Sequence, residues 1–356
     1  MGTNQVANLI QKIVWIGTGT EEIDTSFMRE ATFTETIDLS GPRLTIMFDD
    51  PDSILTDSLD MPGGGGYEIK IGDILEITFE DPVYRARMDT KLKFVILTMP
   101  KDGTRITFNC FQEDVYRLKM PAKEAHLFVN KPVREILYAL IPGLPRGRIE
   151  DKIDDFPVVE DYHLLPGMRP SLLIRQMAKE QGALAFFSRN KFYFRTLLDL
   201  RDDVDERVYY EYNNPMGENQ ITHMEVMNVD QIVGDRIVRE YLGWDMEKGY
   251  VQGDCNYQDA PVEFAGVGNQ ITLSNMLEFA LPVLDLTMIG DGRLEPGLPL
   301  DFTWHLNDTA RPYDETLPSE GVVSVASHYC TGDQYNCRAK IVIPLDESHV
   351  AEFKAR

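Results

Sequence analysis

The residues with the softest metal-ligand chemistry are His328, Cys330 and Cys337. A hairpin over residues 328–340 would put His328 and Cys330 on one face of the first strand and return Cys337 beside them on the second. Zinc takes four protein ligands, or three around an organised open position, and this stretch supplies no fourth. The spacing favours small buried cysteines and a hydrogen-bonded histidine over a metal centre. A cross-strand disulfide between Cys330 and Cys337 is geometrically conceivable, but four cysteines (Cys110, Cys255, Cys330, Cys337) in 356 residues are no disulfide framework.

Other constellations fail on their chemistry. The run ending in Trp15-Ile16 and followed by Gly17-Thr18-Gly19 begins like a dinucleotide fingerprint. The position that needs a third small residue holds Glu22 beside Glu21, and two carboxylates repel a pyrophosphate, so the stretch reads as a plain turn. The glycine run Pro62 to Gly66 lacks the Gly-Lys-Ser/Thr of a phosphate loop and reads as a mobile linker. No H-E-x-x-H, G-x-S-x-G or C-x-x-C is present. The acid pairs Asp49-Asp50, Glu80-Asp81 and Asp202-Asp203 sit beside proline or in turn-like sequence and read as solvated caps, not as a glycosidase pair facing across a cleft. The sequence therefore assigns no catalytic residue, no cofactor site and no metal site, and the chain reads as a non-enzyme.

The composition, 43% hydrophobic and 10% aromatic, is that of a globular chain, and the length predicts two or three domains. A formal charge of −23 opposes duplex binding, which draws its affinity from Lys and Arg displacing counterions, so no specific nucleic-acid binding is expected. No apolar run approaches the roughly 20 residues of a membrane helix, and none is expected to insert. The start, MGTNQVANLIQKIVWIGTG, carries neither a secretion cleavage site nor a lipidation motif. The expectation is a soluble product of a reducing cytoplasm.

Around these residues the periodicity divides the chain. Alternation places Leu75, Ile77 and Phe79 on one face, and Ile106, Phe108 and Cys110 likewise, so residues 1–120 are predicted to be a β domain. Over 121–205 the period lengthens to that of a helix. Val133, Ile136, Leu137, Leu140 and Ile141 form one apolar stripe, with Pro132 in the first turn, Asn130 as cap, and Pro142-Gly143 as the stop. Leu173, Ile174, Met177 and Ala178 form a second stripe after Pro170, and Gly182 ends it. Two strands joined around Arg189-Asn190 complete a small α/β middle domain, and residues 201–206 read as a solvated connection. Strands return over 206–356, with an irregular insertion near 245–275 and a closing hairpin around residues 331–334. The fold class is mixed α+β, mostly β.

The order of parts resembles the baseplate hub proteins of contractile phage tails, the related late-control protein D family, and the hub portion of type VI secretion spike proteins. Three stretches carry the resemblance: GTRITFNCFQEDVYRLK; KPVREILYALIPGL with PSLLIRQMAKEQGALAFFSRNKFYF; and MIGDGRLEPGLPLDFTW with EGVVSVASHYCTGDQYNCRAKIVI. Gly290, Gly292, Pro296, Gly297, His328 and Gly332 stand at the places of that family's closing pattern. The resemblance implies two β-barrel-like tube domains flanking the α/β domain. Three copies would form a ring whose six tube domains match one hexameric layer of the tail tube. It implies a virion location in the tail baseplate, with a central spike protein, the tail tube protein and other baseplate components as partners. An acidic channel wall would let DNA pass without holding it. Because the sequence stops at Arg356 soon after its last strand, needle and wall-degrading activity are expected on another chain. The loop around Gly63 to Gly66 and the segment Asn307 to Glu320 are expected to be arms that order on assembly. The alternatives are a tail-associated cell-wall hydrolase and a monomeric β-rich binding module.

Overall fold

The computed structural model describes residues 8–56, 67–83, 87–141, 156, 161–203, 207–214, 216–217, 219–227, 239–254, 261–277, 280–332 and 334–344. The glycine run, Cys255 and the Pro142-Gly143 stop lie outside them.

Eight strands come first: β1 (Ile10–Ile16), β2 (Thr20–Ile23), β3 (Met28–Thr36), β4 (Arg43–Asp49), β5 (Ile74–Glu80), β6 (Asp89–Thr98), β7 (Lys101–Asp102) and β8 (Arg105–Gln112). As the alternation predicts, β5 buries Leu75, Ile77 and Phe79, and β8 buries Ile106, Phe108 and Cys110. The Gly17–Gly19 turn leads straight into β2, paired antiparallel with β1, so no helix follows to receive a pyrophosphate.

The middle unit holds α1 (Glu113–Lys119), β9 (His126–Phe128), α2 (Val133–Leu140), β10 (Tyr162–Leu164), α3 (Pro170–Glu180), β11 (Ala183–Ser188), β12 (Lys191–Thr196) and α4 (Leu197–Arg201). Both apolar stripes are buried in one cluster with Phe187, Phe192 and Phe194. Pro132 is the cap of α2 and not its first residue. Asn130 does not cap; its N–H donates to the Asp161 carboxylate at 2.7 Å, from a positive φ of 51°.

The last part contains β13 (Val208–Tyr212), β14 (Gln220–Val226), β15 (Glu240–Asp245), β16 (Gly249–Gln252), β17 (Val262–Phe264), α5 (Gln270–Asn275), β18 (Ala280–Ile289), β19 (Pro299–Trp304), β20 (Glu320–Thr331) and β21 (Gln334–Pro344). The expected irregular stretch is instead a small sheet, β16-β15-β17, with α5 packed on it. β16 and β17 are too short to show a period, and Gly243 of β15 is there because the Val267 carbonyl leaves no room for a Cβ. Residues 307–319 are likewise not a free arm. They fold back along β19, with Leu306 N–H donating to Pro312 O (2.8 Å), Asp314 N–H to Trp304 O (2.9 Å) and the Trp304 indole to Pro318 O (2.8 Å).

The chain is mainly β. Among the described residues fourteen strands share one sheet, in the order β19-β13-β14-β18-β21-β20-β3-β4-β8-β6-β5-β1-β2, with β7 beside β8. Because β19 also pairs with β20, the strands from β19 round to β20 close into a six-stranded barrel. The twelve-residue β20 seals this barrel with one end and pairs with β3 through the other, Val325–Thr331 against Glu30–Thr36. A bulge between Val323 and Val325 bends the strand between those two duties. The two β parts, far apart in sequence, are thus adjacent in space and share one apolar core, from Leu9 to Ile341. Phe186, Leu197 and Leu200 pack on Val322 and Val342 and fasten the middle unit to the barrel. Among the described residues no helix is long and apolar enough to cross a membrane.

Candidate functional site

Residues 290–297, Gly-Asp-Gly-Arg-Leu-Glu-Pro-Gly, link β18 to β19 where both β parts and the middle hairpin meet. Gly292 is required by close approach: its N–H donates to the Asp81 carboxylate at 2.6 Å, and a Cβ would stand 2.6 Å from the same oxygen. Gly297 is required by conformation, with φ at +88° and Phe186 Cζ 2.9 Å from where a Cβ would be. Asp81 and Asp50, expected to be solvated, are buried. Asp50 accepts from the N–H groups of Ile54 and Leu55, and Asp81 ties the first β part to the loop.

Into this junction the β11–β12 hairpin inserts its tip. Arg189 and Asn190 both have positive φ, 45° and 70°. Asn tolerates that region, whereas an arginine there is unusual and must be held by its contacts. They are dense. The Arg189 backbone N–H and Nε donate to the Glu35 carboxylate (3.1 and 3.2 Å), and one terminal nitrogen donates to the carbonyls of Gly292 (2.7 Å) and Leu294 (2.9 Å). Glu295 lies 3.5 Å from Nε and accepts from Ser188 Oγ at 2.6 Å. One guanidinium therefore joins the middle unit to β3 of the first part and to the β18–β19 loop of the last. Complete burial lifts the Glu35 carboxyl to about 7, against the lowering influence of Arg189 and with a further push from Glu295.

The His328 group lies beside it. His328 and Cys330 share the inner face of β20, and Cys337 stands opposite His328 in register. His328 Nε2 bonds the Leu294 carbonyl at 2.9 Å, so it carries the proton, and Nδ1 accepts from the Tyr335 hydroxyl at 2.8 Å. Burial, with Arg189 nearby, lowers its pKa to about 3. Cys337 Sγ is 3.3 Å from Nδ1, and burial pushes its thiol up to about 12. These are neutral, mutually bonded groups in place of a thiolate and a free imidazole. Among the described residues no cluster of three or more His, Cys, Asp or Glu could hold a metal ion. Cys330 faces Tyr335 across the hairpin, not Cys337, and Cys110, Cys330 and Cys337 are free thiols. Below the histidine, Tyr210 donates to Asp291 at 2.9 Å. Burial works to raise the Asp291 carboxyl, but the Arg293 side chain and N–H hold it below its usual value.

Of the pattern residues, Gly290, Gly292, Pro296, Gly297 and His328 gather at this junction, while Gly332 turns the β20–β21 hairpin at φ +56°. Sequence reasoning missed Arg189, Glu35, Asp81 and Asp291. The one local signal was an arginine where a two-residue hairpin turn favours Asn or Gly.

A surface groove of about 440 Å³ lies outside the barrel on β13 and β19, between Tyr209, Glu211, His305 and Tyr313. Burial tends to raise Glu211, but hydrogen bonds from His305 (3.2 Å) and Asn214 (2.8 Å) keep it ionised below its normal value. That suits a fixed acceptor and not a proton donor to a leaving group. The carboxyl that is lifted toward neutrality, Glu35, is sealed against Arg189 away from any substrate.

Over most of its length the chain is similar in fold to solved tail proteins. One is the 43 kDa tail protein of prophage MuSo2 from Shewanella oneidensis, with a TM-score of 0.57 and 11% identity over 93% of this chain and 98% of that one. Another is the tail protein from Neisseria meningitidis MC58, with a TM-score of 0.60 and 10% identity over 93% and 96% of the two chains. At these identities the likeness is one of fold. No protein-family model matches the sequence, and no curated protein matches it.

Proposed function

We propose that the chain is a structural hub of a contractile tail, a non-enzymatic component of the virion baseplate. Three copies close into a ring with six β lobes around a channel for DNA. One face of the ring meets a threefold spike protein and the other the sixfold tail tube, with other baseplate components around it. The observation that carries this reading is the fusion of two β parts into one sheet within each chain, in a fold shared over almost its full length with tail proteins. Two lobes per chain let a trimer offer six similar surfaces, which is what a threefold-to-sixfold adapter needs. The Arg189 junction supports it, because a part that transmits load needs its lobes fixed to each other.

Electron microscopy of the purified chain tests the reading. The expected images are rings with threefold symmetry, six peripheral lobes and a central hole. Single two-lobed particles at all concentrations would contradict it.

A further inference from the structure

The groove outside β13 and β19 holds a negative charge that no lysine or arginine balances. Glu211 and Thr303 stand in register on the two parallel strands, and Tyr209 lies two residues back along β13 on the same face. The Tyr209 hydroxyl bonds Thr303 Oγ1 at 2.6 Å and Glu211 Oε1 at 3.2 Å. His305 Nε2 bonds Oε1 at 3.2 Å, and Asn214 Nδ2 donates to Oε2 at 2.8 Å. Gly217 leaves the carboxylate its room, since a Cβ there would stand 2.3 Å from Oε2. The carboxylate is thus oriented from three sides, yet 17% of the Glu211 side chain stays open to the groove.

The walls are aromatic. An antiparallel bridge between His305 and Tyr313 sets the Tyr313 ring edge to face on the imidazole at 5.3 Å. Tyr209 and Tyr313 border the groove and remain 46% and 53% exposed. Asp314 and Glu315 continue the lining, and among the described residues no lysine or arginine joins it. Arg207, just before β13, is engaged instead by Asp301 (2.7 Å) and Glu320 (3.1 Å). Three carboxylates therefore face one imidazole, so even a protonated His305 leaves the groove negative. Carboxylates alone would make an ordinary solvated patch. Here one of them is held by neutral donors inside a cavity of about 440 Å³ between exposed tyrosine rings.

We propose that this groove receives the guanidinium of an arginine side chain presented by a partner polypeptide. A guanidinium is planar and weakly hydrated, so it can stack on a tyrosine ring while its N–H groups reach a carboxylate. A lysine ammonium is compact and strongly hydrated and gains less from such walls. A bare metal ion does not fit, because among the described residues no cluster of three or more His, Cys, Asp or Glu could hold one. The donors around Glu211 orient it without cancelling its charge, and a cleft lined by one sign of charge focuses the field on an incoming cation. The site lies within one chain, so the inference does not depend on the trimeric reading above.

Isothermal titration calorimetry on the full-length chain tests it, with N-acetyl-arginine methylamide as the probe. The citrulline analogue, of the same shape without the charge, is the control. The arginine probe is expected to bind with a Kd of roughly millimolar order, as suits a single side chain, and more weakly at high salt. The citrulline analogue should bind about tenfold more weakly, and Glu211→Gln should weaken the arginine probe about tenfold, the worth of one charge-assisted hydrogen bond. Tyr313→Leu, at an exposed wall position, should weaken it about threefold with circular dichroism unchanged. Equal binding of the citrulline analogue would overturn the proposal, as would arginine binding that neither variant weakens. Absence of any heat with the arginine probe would overturn it too. So would binding of N-acetylglucosamine that Glu211→Gln abolishes while the arginine probe stays silent, since the groove would then be a sugar site.

Discussion

Arg189 sets what single residues contribute. Its partners, Glu35 and Glu295, are buried or half-buried carboxylates, and removing the cation leaves them uncompensated. Arg189→Ala should cost about 3–5 kcal/mol, read from urea unfolding. Two groups at the junction carry opposite pH signatures. Glu35 is raised from 4.5 to about 7, so the folded chain holds a proton that the unfolded chain releases; its contribution is full below about pH 4.5 and is lost as pH rises through 7. His328 is lowered from 6.5 to about 3, so the unfolded chain gains a proton that the folded one refuses; its contribution is lost as pH falls from 6.5 toward 3. Between these limits the two offset each other. Glu35→Gln should therefore make the urea midpoint fall more steeply on acidification from about pH 7 to about pH 5, and His328→Gln should make it fall less. Equal slopes in both variants would contradict these assignments. None of this network was legible in the sequence, because Glu35 and Arg189 are 154 positions apart and meet only through the sheet. His328 and Cys337 were legible as neighbours, since hairpin register alone brings them together.

Elements behave as their periodicity required where one face is buried by local partners. The stripes of α2 and α3 and the alternation of β5 and β8 lie where a pattern of 3.6 or two residues puts them. The insertion did not announce itself, because strands of three and four residues are shorter than any reliable period. Barrel closure was equally hidden: β13 and β19 pair in parallel across some 90 residues, and no local signal encodes such a contact. The middle unit has its own apolar cluster without tryptophan, whereas Trp15 and Trp304 lie in the shared β core. Leu137→Ala should cost about 2–5 kcal/mol, with helical circular dichroism lost before tryptophan fluorescence changes. Gly297→Ala, strained at positive φ and pressed on Phe186, should cost about 1–3 kcal/mol by the same urea measurement. A cost near zero would mean that the loop can move away from the hairpin.

For the whole molecule, the charge of −23 and the exposed Trp244, Tyr250 and Phe264 of the β16-β15-β17 sheet pull in different directions. Net charge keeps separate copies apart, while apolar faces draw them together at defined places. The proposed ring would reconcile the two, with repulsion suppressing wrong contacts and apolar burial holding the right ones. Static light scattering on the purified chain at low and high salt tests the closed ring most directly. The expected result is a mass of about three chains in both, because apolar contacts survive salt that screens surface charges. A mass of one chain across the whole concentration range would contradict it.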